Sequence, residues 1–171
     1  MKKFFFFLLF LPLLSCNTLM KGKSKSIDYT CPDIFFSANE NFFVDTLNNS
    51  PSFDDIFIKA ELNNFAISQN CQQNDELFII PLDILIILKP MQSLPSEDVS
   101  LPLYISLLDQ NDNVIETQYF MIFGSVKKNS ETDAYIETDI NDTLEIISNK
   151  LGINQIVIGF MLDENKRKLL N

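Results

Sequence analysis

Oxygen-bearing side chains crowd together once in a way that suggests a ligand set, at Asp109-Gln110-Asn111-Asp112-Asn113. Oxygen ligands at alternate positions open a calcium loop, whose sixth position is glycine and whose twelfth is an acid. Here the sixth is Val114 and the twelfth Phe120, so the stretch reads as an Asx-rich hairpin turn. Glycoside hydrolysis needs two carboxylates facing each other, and the candidates are Asp54, Asp55, Asp75 and Glu76. Each falls near an expected loop or strand end, where charge needs no special reason, and none is assigned a catalytic role. The chain has no histidine. That removes Ser–His and Cys–His nucleophile pairs, an ordinary histidine base and histidine metal ligands. The expectation is no enzyme, no metal and no cofactor.

Cysteine is the residue type with a definite use. Lys2 and Lys3 precede an apolar run from Phe4 to Leu14. That run is about 11 residues, short of the ~20 that cross a bilayer as a helix, and it reads as a secretory signal. It ends in Leu13-Leu14-Ser15-Cys16, which looks like a bacterial lipobox. The likeness implies that residues 1–15 are removed and that Cys16 carries diacylglycerol on its thiol and an acyl chain on its new amino group. A single chain anchors marginally, at about 0.8 kcal/mol per buried CH₂, whereas several together hold a protein on the bilayer. Asn17 stands where Asp retains enteric lipoproteins on the inner membrane, which favours the outer membrane with the domain facing the periplasm.

Cys31 and Cys71 remain, and an even pair in an oxidising compartment reads as a disulfide. Cys31 precedes a strand-like stretch, 33–37, and Cys71 follows another, 56–68. Antiparallel pairing of those two strands would bring the sulfurs together.

Residues 16–30 make a lipidated cysteine and a basic linker, with Lys21, Lys23 and Lys25 against Asp28 alone. The lysines either rest on anionic headgroups, at about 1 kcal/mol each, or stay solvated. Residues 31–171 carry 8 basic and 22 acidic residues, a net of −14. A body so acidic argues against nucleic acid, which requires a positive footprint.

The elements that would position these groups are strands, because the hydrophobic period is two along the body. Ile56, Ile58, Ala60 and Leu62 alternate with polar or exposed positions. Residues 77–88 are apolar on both parities, as in a central strand covered on both sides, and Pro81 marks a bulge or an edge. Residues 99–107 and 114–122 flank the Asx-rich turn as a hairpin. Strands at 134–140, extending toward 147, and at 155–162 follow. Asp163 then caps a short helix in which Leu169 and Leu170 pack down. Phe35, Phe36, Phe42, Phe43, Phe53, Phe57, Phe65 and Tyr104 read as core aromatics rather than a groove. Pro81 and Pro102 mark edges where pairing is blocked or where a partner strand could add. The fold class is all-β: an immunoglobulin- or fibronectin-like sandwich of about seven to eight antiparallel strands with a short C-terminal helix. A closed barrel is the competing architecture.

Several motifs in order suggest a family. They are the lipobox, Cys31-Pro32-Asp33-Ile34, Ala60-Glu61-Leu62 leading to Cys71, Leu101-Pro102-Leu103-Tyr104-Ile105 before Asp109, Gln118-Tyr119-Phe120, and Ile156-Val157-Ile158-Gly159-Phe160-Met161-Leu162. Together they resemble a family of small alphaproteobacterial lipoproteins found in streamlined marine bacteria. The resemblance covers the mature domain, implies a tethered, stapled β-sandwich, and carries over no functional residues. A weaker echo is the LEA-type immunoglobulin-like sandwich. The functional expectation is a lipid-anchored, non-enzymatic interaction or envelope-assembly module, with a protein partner added by edge-strand pairing. The alternative is a tethered binder of a small apolar ligand such as a lipid, lined by residues 77–88. A carboxylate-only hydrolase ranks last.

Overall fold

The computed structural model describes residues 27–74 and 76–170. Cys16, the expected signal and most of the expected linker lie outside the described residues, as does Asp75. Among the described residues ten strands and one α-helix are formed: β1 (Ile27–Asp28), β2 (Asp33–Phe36), β3 (Phe42–Thr46), β4 (Ile56–Ile67), β5 (Gln72–Asn74), β6 (Leu77–Pro90), β7 (Asp98–Leu108), β8 (Val114–Ser125), β9 (Thr138–Ser148), β10 (Gln155–Phe160) and α1 (Glu164–Lys168).

The alternation in the sequence becomes the two faces of a sandwich. On β6, Ile80, Leu82, Ile84, Ile86 and Leu88 are buried, and Ile79, Pro81, Asp83, Leu85 and Ile87 between them are half-buried. On β7, Leu101, Leu103, Ile105 and Leu107 are buried in the same way. These rows meet, with Ile156, Ile158 and Phe160 of β10, in one core. Burying a side chain of this size contributes about 1.5–3 kcal/mol.

In the larger sheet β6 is central. β9 pairs along one edge of it, and β4 and then β5 pair along the other. β3 adds to β4, and β1 to β5. The smaller sheet has the order β2-β10-β7-β8. β6 and β9 are neighbours in one sheet and enclose the β7–β8 hairpin of the other, which is Greek-key connectivity. Among the described residues no ladder joins the two sheets into a barrel. Between β8 and β9 the links are side-chain bonds: Gln118 Nε2 donates to the Ile147 carbonyl at 2.8 Å, and the Ser148 hydroxyl donates to Glu116 Oε2.

Four details differ from the sequence reading. β1, β3 and β5 are additional short strands, too short to show a period. Ladder contacts are antiparallel except that β2 runs parallel to β10, from Asp33 beside Gln155 to Phe36 beside Ile158. The long apolar strand β6 is covered on one face only, and its outward residues are shielded by their neighbours. Finally, Pro81 sits at neither a bulge nor a sheet edge. Its carbonyl accepts from Ser68 N at 3.3 Å, so its missing N–H faces the break between β4 and β5, where no donor is needed.

Cys31 and Cys71 are bonded, with a Cα–Cα distance of 5.3 Å. The pairing was expected, but the strands that carry it are not the ones expected. β2 joins the smaller sheet and never touches β4 as a ladder. The sulfurs meet because β1 pairs with β5 and Tyr29 N donates to the Cys71 carbonyl at 3.1 Å, just before the chain crosses to the other sheet. The bridge therefore pins a crossover.

A closed loop of 40 residues restricts the unfolded chain by about 4 kcal/mol on the chain-entropy model. Replacing both Cys31 and Cys71 with Ala should lower the urea-unfolding free energy by about that amount, with β-rich circular dichroism retained in the absence of urea. A loss below about 1 kcal/mol would show that the bridge does not constrain the unfolded state.

Candidate functional site

The residues singled out for chemistry do not converge. Asp54 and Asp55 lie in a 3-10 turn, 53–55, at the start of β4, where Asp55 Oδ2 accepts from the Ser50 hydroxyl. Glu76 lies beyond the other end of that 12-residue strand. Strand rise separates them by about 40 Å, far beyond the 5–10 Å of a glycosidase pair. Among the described residues no three acidic or cysteine side chains are grouped to hold a metal ion.

Asp109 works inside its own turn. Its Oδ1 accepts from the backbone N–H groups of Asn111 at 2.8 Å and Asn113 at 3.0 Å, and Oδ2 accepts from Asn113 Nδ2 at 3.1 Å. Asp112 closes the turn with φ 63°, a left-handed conformation that Asp tolerates. Donation from Asn113, backbone first, holds the Asp109 carboxyl below the ordinary carboxylate value. The hairpin-turn reading accounts for every oxygen of Asp109.

A second polar cluster ties the C-terminus to the sandwich. Glu40 Oε2 accepts from the Tyr104 hydroxyl at 3.0 Å and from the Ser37 hydroxyl, and its Oε1 lies 3.4 Å from Arg167 Nη2. Burial pushes the Tyr104 phenol above its usual value. The Tyr104 ring lies flat over Gly159, where an added Cβ would come within 2.7 Å of it. This glycine is needed because the ring occupies the space. Lys166 pairs with Asp45 at 3.1 Å, and Asp163 caps α1 by accepting from Lys166 N at 2.8 Å, as expected. Leu169 is buried.

The two outer faces of the sandwich differ. That of the larger sheet is charged: Lys89 pairs with Glu61 at 3.1 Å, and Asp83, Asp139 and Glu145 stand nearby in register. On the smaller sheet the central rows are Phe35, Val157, Ser106 and Thr117, then Gly159, Tyr104 and Tyr119, then Pro102 and Met121, then Ser100 and Phe123. None of these carries a charge. Tyr119, Met121 and Phe123 are 68%, 48% and 71% exposed.

Those three residues also lie on the edge strand β8. Ladder parity decides where their backbone points. Val126 N donates to the Glu97 carbonyl at 2.8 Å, and Met161 N donates to the Pro102 carbonyl at 2.9 Å. Antiparallel pairs alternate between bonded and non-bonded. Leu101–Ile122 and Leu103–Phe120 are thus the bonded pairs, whereas Pro102–Met121 and Tyr104–Tyr119 are not. The N–H and C=O groups of Thr117, Tyr119, Met121, Phe123 and Ser125 therefore point out of the sheet. β8 is 12 residues long. It has no lysine, arginine or proline, and its one charge, Glu116, is turned to Ser148.

Pro102, expected at an edge, is on an interior strand, with its ring side toward the end of β10. The expected core aromatics divide. Phe43 and Phe57 are buried, Phe36 and Phe65 are half-buried and meet edge to face at 5.3 Å, and Phe35 and Phe53 are exposed. The outward stripe of β8 was missed. Its signal is present in the sequence, as apolar residues on both parities from Tyr119 to Phe123 with no Lys or Pro anywhere in 114–125.

Comparison with protein-family models, curated proteins and solved structures finds no match to this chain. Among the described residues no helix is long and apolar enough to cross a membrane.

Because the Asp109 carboxyl is held below its unfolded-state value, it stabilises the fold at neutral pH. That contribution is lost as the pH falls through the folded value. Asp109→Ala should lower the urea midpoint at pH 7 and flatten its acid-side decline, as followed by tyrosine fluorescence. An unchanged pH profile would remove the turn from the stability of the hairpin.

Proposed function

We propose that this chain is a lipid-anchored, non-enzymatic interaction module of the cell envelope, which takes a partner strand on the open edge of β8. The observation that carries the reading is that edge: 12 residues, outward backbone groups from Thr117 to Ser125, and an uncharged apolar stripe on an otherwise acidic body. Natural sheet edges are blunted by lysine, proline, shortness or bulges. β8 has a register shift only at its start, beside Leu108. Backbone pairing supplies affinity in strand addition, and side chains at alternate positions supply selection.

The lipobox at Leu13–Cys16 supplies the tether, and Asn17 favours the outer membrane and a periplasm-facing domain. Membership of the small alphaproteobacterial lipoprotein group named above fits this reading. The carrier of an apolar ligand has less support. The inward side chains of β6 are packed against β7 and β10. An opening of about 270 Å³ beside Phe43, Phe57, Val99 and Leu101 is below the usual ~300–1,000 Å³ of ligand pockets.

A photo-reactive amino acid at Tyr119, in cells expressing the full chain, should give a cross-linked adduct containing a second polypeptide. The same probe at Asn141, on the charged outer face, should give none. Absence of any polypeptide adduct at both Tyr119 and Phe123 would overturn the module reading. Cys16→Ser should move the protein from the membrane to the soluble envelope fraction, and intact mass of the native chain should show acyl groups on residue 16.

A further inference from the structure

We propose that the end of the sandwich at which the linker enters rests on the bilayer, with loop 149–152 down and the Leu151 side chain among the lipid acyl chains. The proposal rests on the anchor at Cys16 argued above. It adds which surface of the domain that anchor brings to the membrane.

One ladder row fixes this end. Ile27 pairs with Gln73, Gln73 with Phe78, and Phe78 with Ser148. Neighbouring strands lie about 4.8 Å apart, so the linker joins the fold about 15 Å from the start of the loop. β1 runs in the direction of β6, because each is antiparallel to β5. The chain before Ile27 is therefore directed past the same end as the loop. The Cys31–Cys71 bridge and the bond from Tyr29 N to the Cys71 carbonyl pin that point. In the smaller sheet the row Asp33, Gln155, Leu108 and Val114 marks the same end.

The reach of the tether selects this end over the other. Ten residues, 17–26, separate Cys16 from Ile27, and the span between those two residues is at most about 40 Å at full extension. Met91, just after β6, lies about 44 Å from the Phe78 row at ~3.4 Å per residue. A domain turned over so that Met91 met the bilayer would lift Ile27 beyond that reach. The exposed apolar residues of the far end, Phe53 and Met91, also stand beside Asp54, Asp55 and Asp133.

Leu151 is the most exposed large apolar side chain among the described residues, at 74%. Its loop is held at both ends. Lys150 N donates to the Ser148 hydroxyl at 3.1 Å, that hydroxyl donates to Glu116, and Asn154 N donates to the Leu108 carbonyl at 2.8 Å. Gly152 turns the chain with φ 77° in open space. Leu77, Val114 and Ile147 are exposed at the same end. Asp33, Glu76, Asp109 and Asp112 stand there against Lys150, so the tether rather than charge brings this end down. One leucine would hold a free protein on a bilayer weakly, but within a short tether the contact is intramolecular and needs little affinity. In this orientation the β8 stripe faces sideways, clear of lipid and open to a partner strand.

The chain has no tryptophan, so one introduced tryptophan reports alone. The acylated full chain is placed in phosphatidylcholine vesicles, with and without bromine on the lipid acyl chains, and its tryptophan emission is recorded. Leu151→Trp should emit to the blue of the same variant carrying Cys16→Ser in buffer. Brominated lipid should quench it about twofold, because a side chain seated at the acyl boundary touches the bromine. Met91→Trp and Tyr119→Trp should keep the emission of water-exposed tryptophan and lose none to bromine. A Leu151→Trp emission that brominated lipid leaves unchanged, or equal quenching at Leu151 and at either of the other two positions, would overturn the proposal. An acylated chain bound to the vesicles with Leu151→Trp unquenched removes the docked end and leaves the anchor standing. A chain that carries no acyl group and stays off the vesicles removes both.

Discussion

Five aliphatic side chains on one face of β6 meet four on β7 and Ile156, Ile158 and Phe160 of β10, and the rest of the molecule is arranged around keeping that contact dry. β6 can serve as the spine because it has partners along both edges, β9 on one and β4 then β5 on the other. A strand of alternating residues buries one face by packing against a second sheet. Its backbone is satisfied only by lateral neighbours. The neighbours of β6 and β7 are therefore as necessary to the core as the core residues, although many contribute polar side chains to solvent.

A sandwich, unlike a barrel, keeps edges, and here each edge is handled differently. On one side the chain itself closes the gap. After β1 the chain leaves the larger sheet, runs as β2 parallel to β10 for four residues, and returns to it as β3. The disulfide pins its departure. Glu40 then binds Tyr104 and Ser37 and pairs with Arg167, while Lys166 pairs with Asp45, and so α1 is held against β3. On the other side β9 carries Asp139 and Glu145 outward, and Asp142 on the parity of the buried residues. Charges at these places discourage a further strand. β8 alone is long, uncharged along its outward backbone groups and apolar on its outer face. Its difference from the other edges is the physical basis for reading it as a surface that takes a strand.

The strand content, the β7–β8 hairpin with its Asx turn, the cap at Asp163 and the pairing of Cys31 with Cys71 were all legible from local patterns. The Asx turn was legible because Asp109 satisfies backbone donors only two and four residues away. Other features were not legible. At β4 the inward parity changes beyond Leu62, where Phe65 and Ile67 come opposite Ile84 and Leu82, because a bulge inserts one residue. β3 was missed because five residues flanked by polar turns show too little period. Phe35 was placed in the core by type, yet on β2 it points outward.

By itself the sequence determined which segments are extended and which face of most of them turns inward, and it pointed to Cys31 and Cys71 as a pair. Alternation records whether each side chain meets water or oil, and that is written locally. Only the tertiary structure decided that β2 lies parallel to β10, that Pro102 is interior, and that β8 has a strand on one side only among the described residues. Strand neighbours are chosen by backbone hydrogen bonds between residues far apart in the chain. Those bonds are chemically alike at every residue but proline, so the choice is made by the packing of the whole.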